Sequence, residues 1–211
     1  MTGCRRDSKI CPMNQEKNIH KLREDLFKLL KKYSYKEGRV VLSSGKVANY
    51  YIDARVVTLS SEGAFLSASI ILHLVRTHAE FGASDISAVG GPTLGADPFL
   101  GAISALSFID NKPLNTFIVR KTPKKHGAAR RIEGPPLAKG DKVVVIDDVA
   151  TSGGSLVDCI SVLRNEGIVV CGAIVIIDRC EGAKEVLAGI DCPLISIFKS
   201  SDFNKNLPTG A

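Results

Sequence analysis

Residues 143–155 read Val-Val-Val-Ile-Asp-Asp-Val-Ala-Thr-Ser-Gly-Gly-Ser, and no other stretch constrains the fold as tightly. Four β-branched residues run into two adjacent carboxylates and then into a loop of hydroxyls and glycines, after which Leu156, Ile160 and Leu163 recur at helical spacing. The pattern predicts a buried strand, a small-residue loop and a helix N-terminus. Such a terminus presents unpaired N–H groups and a partial positive charge, so the loop can wrap a phosphate with backbone donors. Asp147 and Asp148 repel phosphate and suit hydroxyls, or a divalent cation, beside it. A sugar phosphate satisfies both halves of the stretch.

The order strand, glycine loop, helix occurs twice. Gly90-Gly91-Pro92-Thr93-Leu94-Gly95 ends a strand at 86–89 and opens a helical run that carries Pro98 in its first turns and reaches Leu106. Periodicity predicts further helices at 19–33, 63–78, 155–165 and 181–188, with Phe65, Ile70, Leu72 and Leu74 facing inward on the second. Strands are expected at 40–42, 50–52, 115–119, 142–146, 168–177 and 194–198. Alternation with apolar strands indicates an α/β fold, a mostly parallel twisted sheet with helices on both faces. A small antiparallel N-terminal hood of helix and short strands precedes it, turning at Ser43-Ser44-Gly45-Lys46. The expected organisation is a disordered tail at 1–18 and a single domain at 19–211, with the hood at 19–60 and the core at 61–200. A long loop of low apolar content fills 120–139, a length typical of mobile lids.

Composition narrows the function. The net charge of +6 equals the six cations between Arg120 and Arg131, which have no acid among them. The excess is therefore one loop and not a face, and the loop lacks the aromatic residues that stack on nucleic acid. Small polyanions fit it better, because such a run repels itself unless something anionic binds. Six cysteines at 4, 11, 159, 171, 180 and 192 show neither a CxxC pair nor metal-ligand spacing, as expected of reduced thiols. The longest apolar run, 168–177, is half the length of a bilayer span, and no apolar segment follows Arg5, Arg6 and Lys9. The expectation is a cytoplasmic protein that engages neither membrane nor nucleic acid.

In open parallel sheets, ligands collect at the carboxyl ends of the strands. Four features fall there: the 90–95 loop, the cationic loop, the 147–155 segment, and Asp178-Arg179 after the strand that ends at Ile177. Neither a GxxxxGK[ST] nor a GxGxxG pattern occurs, which disfavours P-loop and Rossmann nucleotide sites.

The 143–155 segment resembles the phosphoribosyl-diphosphate (PRPP) signature of the type I phosphoribosyltransferases. Arg120-Lys121-Thr122-Pro123-Lys124-Lys125-His126-Gly127 resembles the flexible catalytic loop of the orotate phosphoribosyltransferases. Leu42-Ser43-Ser44-Gly45, Tyr50-Tyr51-Ile52-Asp53 and Asp178-Arg179 resemble that family's base-binding segments. The resemblance spans about 19–200 and implies transfer of ribose 5-phosphate from PRPP to orotate, with Mg²⁺, giving orotidine 5′-monophosphate and diphosphate in pyrimidine synthesis. It implies a PRPP site of Arg120, Lys121, Lys124, His126, Asp147, Asp148, Val149, Ala150, Thr151, Ser152, Gly153, Gly154 and Ser155. Asp147 and Asp148 would hold the ribose hydroxyls, residues 151–155 the 5′-phosphate, and Thr151 and Arg179 orotate. Lys121 and Lys124 would be catalytic, clamping the diphosphate across the interface of a homodimer. His126 would serve as a neutral hydrogen-bond donor in preference to a general acid, since its cationic neighbours disfavour its charged form. No protein side chain is assigned as a metal ligand. Lysines that many orotate enzymes carry are absent at Ser43 and near Gly95. Two alternatives remain: the same fold acting on another base, or a regulator that senses PRPP or a nucleotide without turnover.

Overall fold

Alternation along the strand at 142–150 divides the interior into two cores. Val144 and Ile146 enter one cluster with Val89, Ile174, Ile176 and Phe99, while Val143 and Val145 enter the other with Phe117, Val175, Leu156 and Ile160. The side chains of Val143, Val144, Val145 and Ile146 are fully buried, each contributing about 1.5–3 kcal/mol of hydrophobic stabilisation. A strand apolar on both faces needs helices on both, and the chain supplies them. The computed structural model describes residues 12–41, 47–81, 85–123 and 131–203. The expectations for residues 1–11, Ser43, Lys124, Lys125, His126 and Arg130 lie outside these.

The main sheet has the order β5-β4-β3-β6-β7-β8. Its strands are β3 (Ile86–Pro92), β4 (Asn115–Val119), β5 (Ile132–Glu133), β6 (Lys142–Ala150), β7 (Val169–Asp178) and β8 (Leu194–Lys199). All neighbours are parallel except β5, which pairs antiparallel with the end of β4. The helices are α1 (Pro12–Leu29), α2 (Arg55–Thr58), α3 (Ser61–Thr77), α4 (Asp97–Ile109), α5 (Gly154–Asn165), α6 (Ala183–Ala188) and α7 (Ser200–Phe203). Buried residues of α1, α3 and α4 line the first core and those of α5 and α6 the second. From β3 the chain crosses by α4 to β4 on one side; from β6 it crosses by α5 to β7 on the other. The loops after β3 and β6 therefore diverge, and a crevice opens between them at the topological switch point.

The hood is the antiparallel pair β1 (Tyr35–Val41) and β2 (Val47–Ile52), joined to α1 by a π-helical turn at Leu30–Ser34. Stacked rings tie it to the sheet edge. Tyr35 lies 5.8 Å from Tyr50 and 5.5 Å from Phe203, and Phe27 of α1 lies 5.0 Å from Phe203 and 5.5 Å from Phe198 of β8.

Several boundaries differ from the sequence expectation. The first helix begins at Pro12, ahead of Ile19. Phe65 is 48% exposed and does not face inward, whereas Leu66, Ile70 and Ile71 are buried, because the apolar stripe of α3 runs through Leu66 and Ile70, four residues apart. The 120–139 segment is not wholly loop, since Ile132–Glu133 extends the sheet. β6 does not stop at Ile146: it pairs with β7 through Ala150 opposite Asp178, so both aspartates belong to the strand.

Candidate active site

The end of β6 places two carboxylates side by side. Asp147 is buried, and its Oδ1 accepts the Asp148 N–H at 2.9 Å; Asp148 Oδ1 in turn accepts the Val149 N–H at 2.7 Å. Burial and the neighbouring Asp148 charge push the Asp147 carboxyl well above the ordinary carboxylate range, against a smaller lowering by Lys121. Burial also raises Asp148, partly opposed by the Asp147 and Val149 hydrogen bonds and by the Arg55 charge. The pair can accept hydrogen bonds from hydroxyls or approach a cation.

Opposite it stands the loop after β3. Gly90 and Gly91 let β3 end pinched between its neighbours: a Cβ on Gly90 would meet Phe117 O at 2.1 Å, and one on Gly91 would meet Ile146 O at 1.8 Å. Gly95 carries the approach further. A Cβ there would lie 1.8 Å from Asp147 Oδ1 and 2.9 Å from Asp148 Oδ1, so the loop rests its backbone directly on the carboxylates. Asp53 and Arg55, where β2 meets α2, complete the wall. Arg55 Nε and Nη2 donate to the two oxygens of Asp53 at 3.0 and 3.1 Å. A cleft of about 270 Å³ is lined by residues that include Asp53, Arg55, Gly95, Lys121, Asp147, Asp148 and Ser155.

A second cavity of about 470 Å³ adjoins it, sharing Pro92, Lys121 and Ser155 and adding Gly154, Asp158 and Cys159. It opens onto the start of α5. Gly153 caps that helix at φ 83° with no side-chain hydrogen bond, leaving the first-turn N–H groups to another acceptor. Thr151, Ser152, Gly154 and Ser155 are exposed around it. Cys159, buried beneath, has a thiol that burial pushes far up, so it acts as packing and not as a nucleophile.

The sequence-expected residues thus separate into groups. Asp147, Asp148, Lys121, Gly154 and Ser155 line the two joined cavities. Val149, which also lines the cleft, and Ala150 both pair with β7, and Ala150 O accepts the Arg179 N–H at 2.9 Å. Thr151 O accepts the Ala183 N–H at 3.2 Å, holding the loop against α6. Arg179 follows Asp178, whose Oδ1 accepts the Cys180 N–H at 2.8 Å, with Cys180 at φ 57°. This tight turn lays the Arg179 guanidinium over the Tyr50 ring at 5.2 Å, while its buried Nε lies 2.8 Å from Glu181 Oε1.

The cationic run is not self-repelling throughout, because acids from elsewhere in the fold pair with its ends. Arg120 lies 3.5 Å from Glu133, and Arg131 grips Asp158 of α5 with both terminal nitrogens while its Nε donates to Arg120 O at 2.8 Å. Arg131 is therefore a clasp at the base of the loop. Sequence reasoning overlooked Arg55. Its one visible signal is Asp-x-Arg, a spacing equally suited to a surface ion pair, and only the fold brings it beside Asp148.

Among the described residues no helix is long and apolar enough to cross a membrane. Residues 66–205 match the family described as phosphoribosyl transferase domain. The chain is 39% identical over 188 residues to the orotate phosphoribosyltransferase of Nostoc sp., covering 89% of this chain and 88% of the relative. Among solved structures, Mycobacterium tuberculosis orotate phosphoribosyltransferase in complex with Fe(III) dicitrate superposes with a TM-score of 0.74 at 34% identity, covering 87% of this chain and 99% of that one. The same enzyme in complex with PRPP gives 0.69 at 30% identity, covering 87% and 99%.

Proposed function

The chain belongs to the orotate phosphoribosyltransferases, enzymes that move ribose 5-phosphate from PRPP to orotate in pyrimidine synthesis, and from that premise we propose how its own residues divide the work. The observation that carries the reading is one juxtaposition: a buried carboxylate with a half-buried one beside it, and a helix N-terminus without a side-chain cap, open into joined cavities. The 5′-phosphate binds the first-turn N–H groups of α5 with the Thr151, Ser152 and Ser155 hydroxyls. Asp147 and Asp148 accept hydrogen bonds from the ribose hydroxyls, and the Gly95 backbone keeps the carboxylates from turning away. Orotate lies toward Thr151 and Arg179, where its carboxylate competes with Glu181 for the guanidinium.

Cleaving the ribosyl C1–O bond builds positive charge on the sugar and negative charge on the departing diphosphate, so cations fixed near the leaving group lower the barrier. In this reading Arg120, Lys121, Lys124 and His126 supply them, from the 120–139 segment of a core that runs over 61–200 and follows the hood at 19–60. Magnesium fits the donor chemistry, since the aspartates offer hard oxygens. Among the described residues no cluster of three ligating side chains exists, so the ion would be held largely by substrate oxygens, with Asp147 and Asp148 nearest. There it would neutralise diphosphate charge. The working form is a cytoplasmic homodimer in which the cationic loop serves the neighbouring site.

Mixed dimers test the shared site. Lys124→Ala and Asp148→Asn chains are each expected to be poorly active alone. Co-assembled in equal amounts they should regain about a quarter of wild-type turnover, because half of the dimers carry one intact composite site. Absence of any regain would show that each chain completes its own site.

A further inference from the structure

We propose that Arg55 binds the diphosphate of PRPP, as the fixed cation on the hood side of the cleft. The proposal rests on reading this cleft as the PRPP site. Three observations carry it. First, Arg55 lines the same cleft as Thr93, Gly95, Lys121, Asp147 and Asp148. Second, the guanidinium is held before any ligand arrives. Asp53 engages its Nε and Nη2 at 3.0 and 3.1 Å and also accepts the Arg55 backbone N–H at 3.1 Å. That use of one edge leaves Nη1 without a hydrogen bond among the described residues, and arginine's planar fork suits phosphate oxygens. Third, the cleft needs the charge. The loop at 93–96 contributes Thr, Leu, Gly and Ala, none cationic, while Asp53, Asp147 and Asp148 all face the same space. Among the described lining residues, Arg55 and Lys121 are the cations.

The arrangement also explains why an acid pair does not repel the substrate. Arg55 shares the cleft with Asp148, and its positive charge offsets part of the carboxylates' repulsion of an anion. A diphosphate placed between the 94–95 backbone and Arg55 would meet amide donors on one side and a guanidinium on the other, the Thr93 N–H being already donated to Val119 O at 3.2 Å. The carboxylates would remain with the ribose hydroxyls.

Titration calorimetry on the full chain with Mg²⁺ separates these roles, using PRPP, ribose 5-phosphate and inorganic diphosphate as probes. For Arg55→Gln, affinity for PRPP and diphosphate should fall about 10- to 100-fold, the worth of a charge-assisted hydrogen bond, with ribose 5-phosphate binding unchanged. Arg55→Lys should recover part of the loss. Equal loss for PRPP and ribose 5-phosphate would make Arg55 a brace for the hood, and unchanged PRPP binding would remove it from the site; either result overturns the proposal. If the wild-type chain bound neither PRPP nor ribose 5-phosphate, the reading of the cleft itself would fall, and the proposal with it.

Discussion

Gly95→Ala should lower kcat/KM for PRPP on the order of 10²-fold or more while leaving the fold intact, because displacing reacting groups by about 1 Å has that cost. The added methyl would occupy space 1.8 Å from Asp147 Oδ1. That oxygen is buried and pinned by the Asp148 N–H, so it has little room to yield. Either the carboxylate rotates off the ribose hydroxyls or the 93–96 loop lifts and widens the cleft. The loop is partly exposed, so the stability loss should stay within about 1–3 kcal/mol, the usual range for overpacking. Steady-state kinetics with a thermal melt beside them provide the check. Turnover close to wild type would mean that the loop does not rest on the reacting carboxylates.

Asp147→Asn is expected to lower kcat/KM for PRPP on the order of 10²-fold and to stabilise the free protein. Asparagine keeps the shape and can still accept the Asp148 N–H, but it removes a buried negative charge. The folded carboxyl titrates above its unfolded value of about 4, so the native state holds the proton more tightly. Below pH ~4 both states are protonated and the aspartate carries no penalty. As pH rises from there through the raised folded value, the unfolded chain ionises first and the native state loses ground. The Asn variant escapes that loss. Its advantage should be absent near pH 4 and fully developed at and above the raised value, on the order of 1 kcal/mol, or ~2–4 °C in melting temperature. Melts across pH would expose a wrong sign at once: a variant less stable than wild type at high pH contradicts the burial argument.

Much of the architecture was legible because strong periodic signals coincided with function. The all-apolar runs at 143–146 and 168–177 could only be strands covered on both faces, and the two cores bear this out. Gly95 was legible as a loop residue, but Gly90 and Gly91, read as loop, belong to β3, and none of the three was legible as a contact, since their necessity lies in Phe117 O, Ile146 O and Asp147 Oδ1, all distant in sequence. Ile132–Glu133 was invisible, because two residues carry no period, and β4 alone decides their pairing. Asp147 and Asp148 read as loop residues, since charge is rare within strands; β7 overrides that by continuing the ladder to Asp178. Arg131 read as one more loop cation, and its partner Asp158 sits on α5, 27 residues onward. Arg55 escaped notice for a similar reason: its local partner Asp53 is obvious, but its functional neighbour Asp148 is supplied by the fold alone.

Loss of orotate, followed by its ultraviolet absorbance with PRPP and Mg²⁺ present, tests the central claim most directly when wild type is run beside Asp147→Asn and Gly95→Ala. Wild type should show a decline that requires PRPP, is slowed strongly in both variants, and has no counterpart with a purine base. Unchanged orotate alongside consumption of a purine, or wild-type rates in both variants, would contradict it.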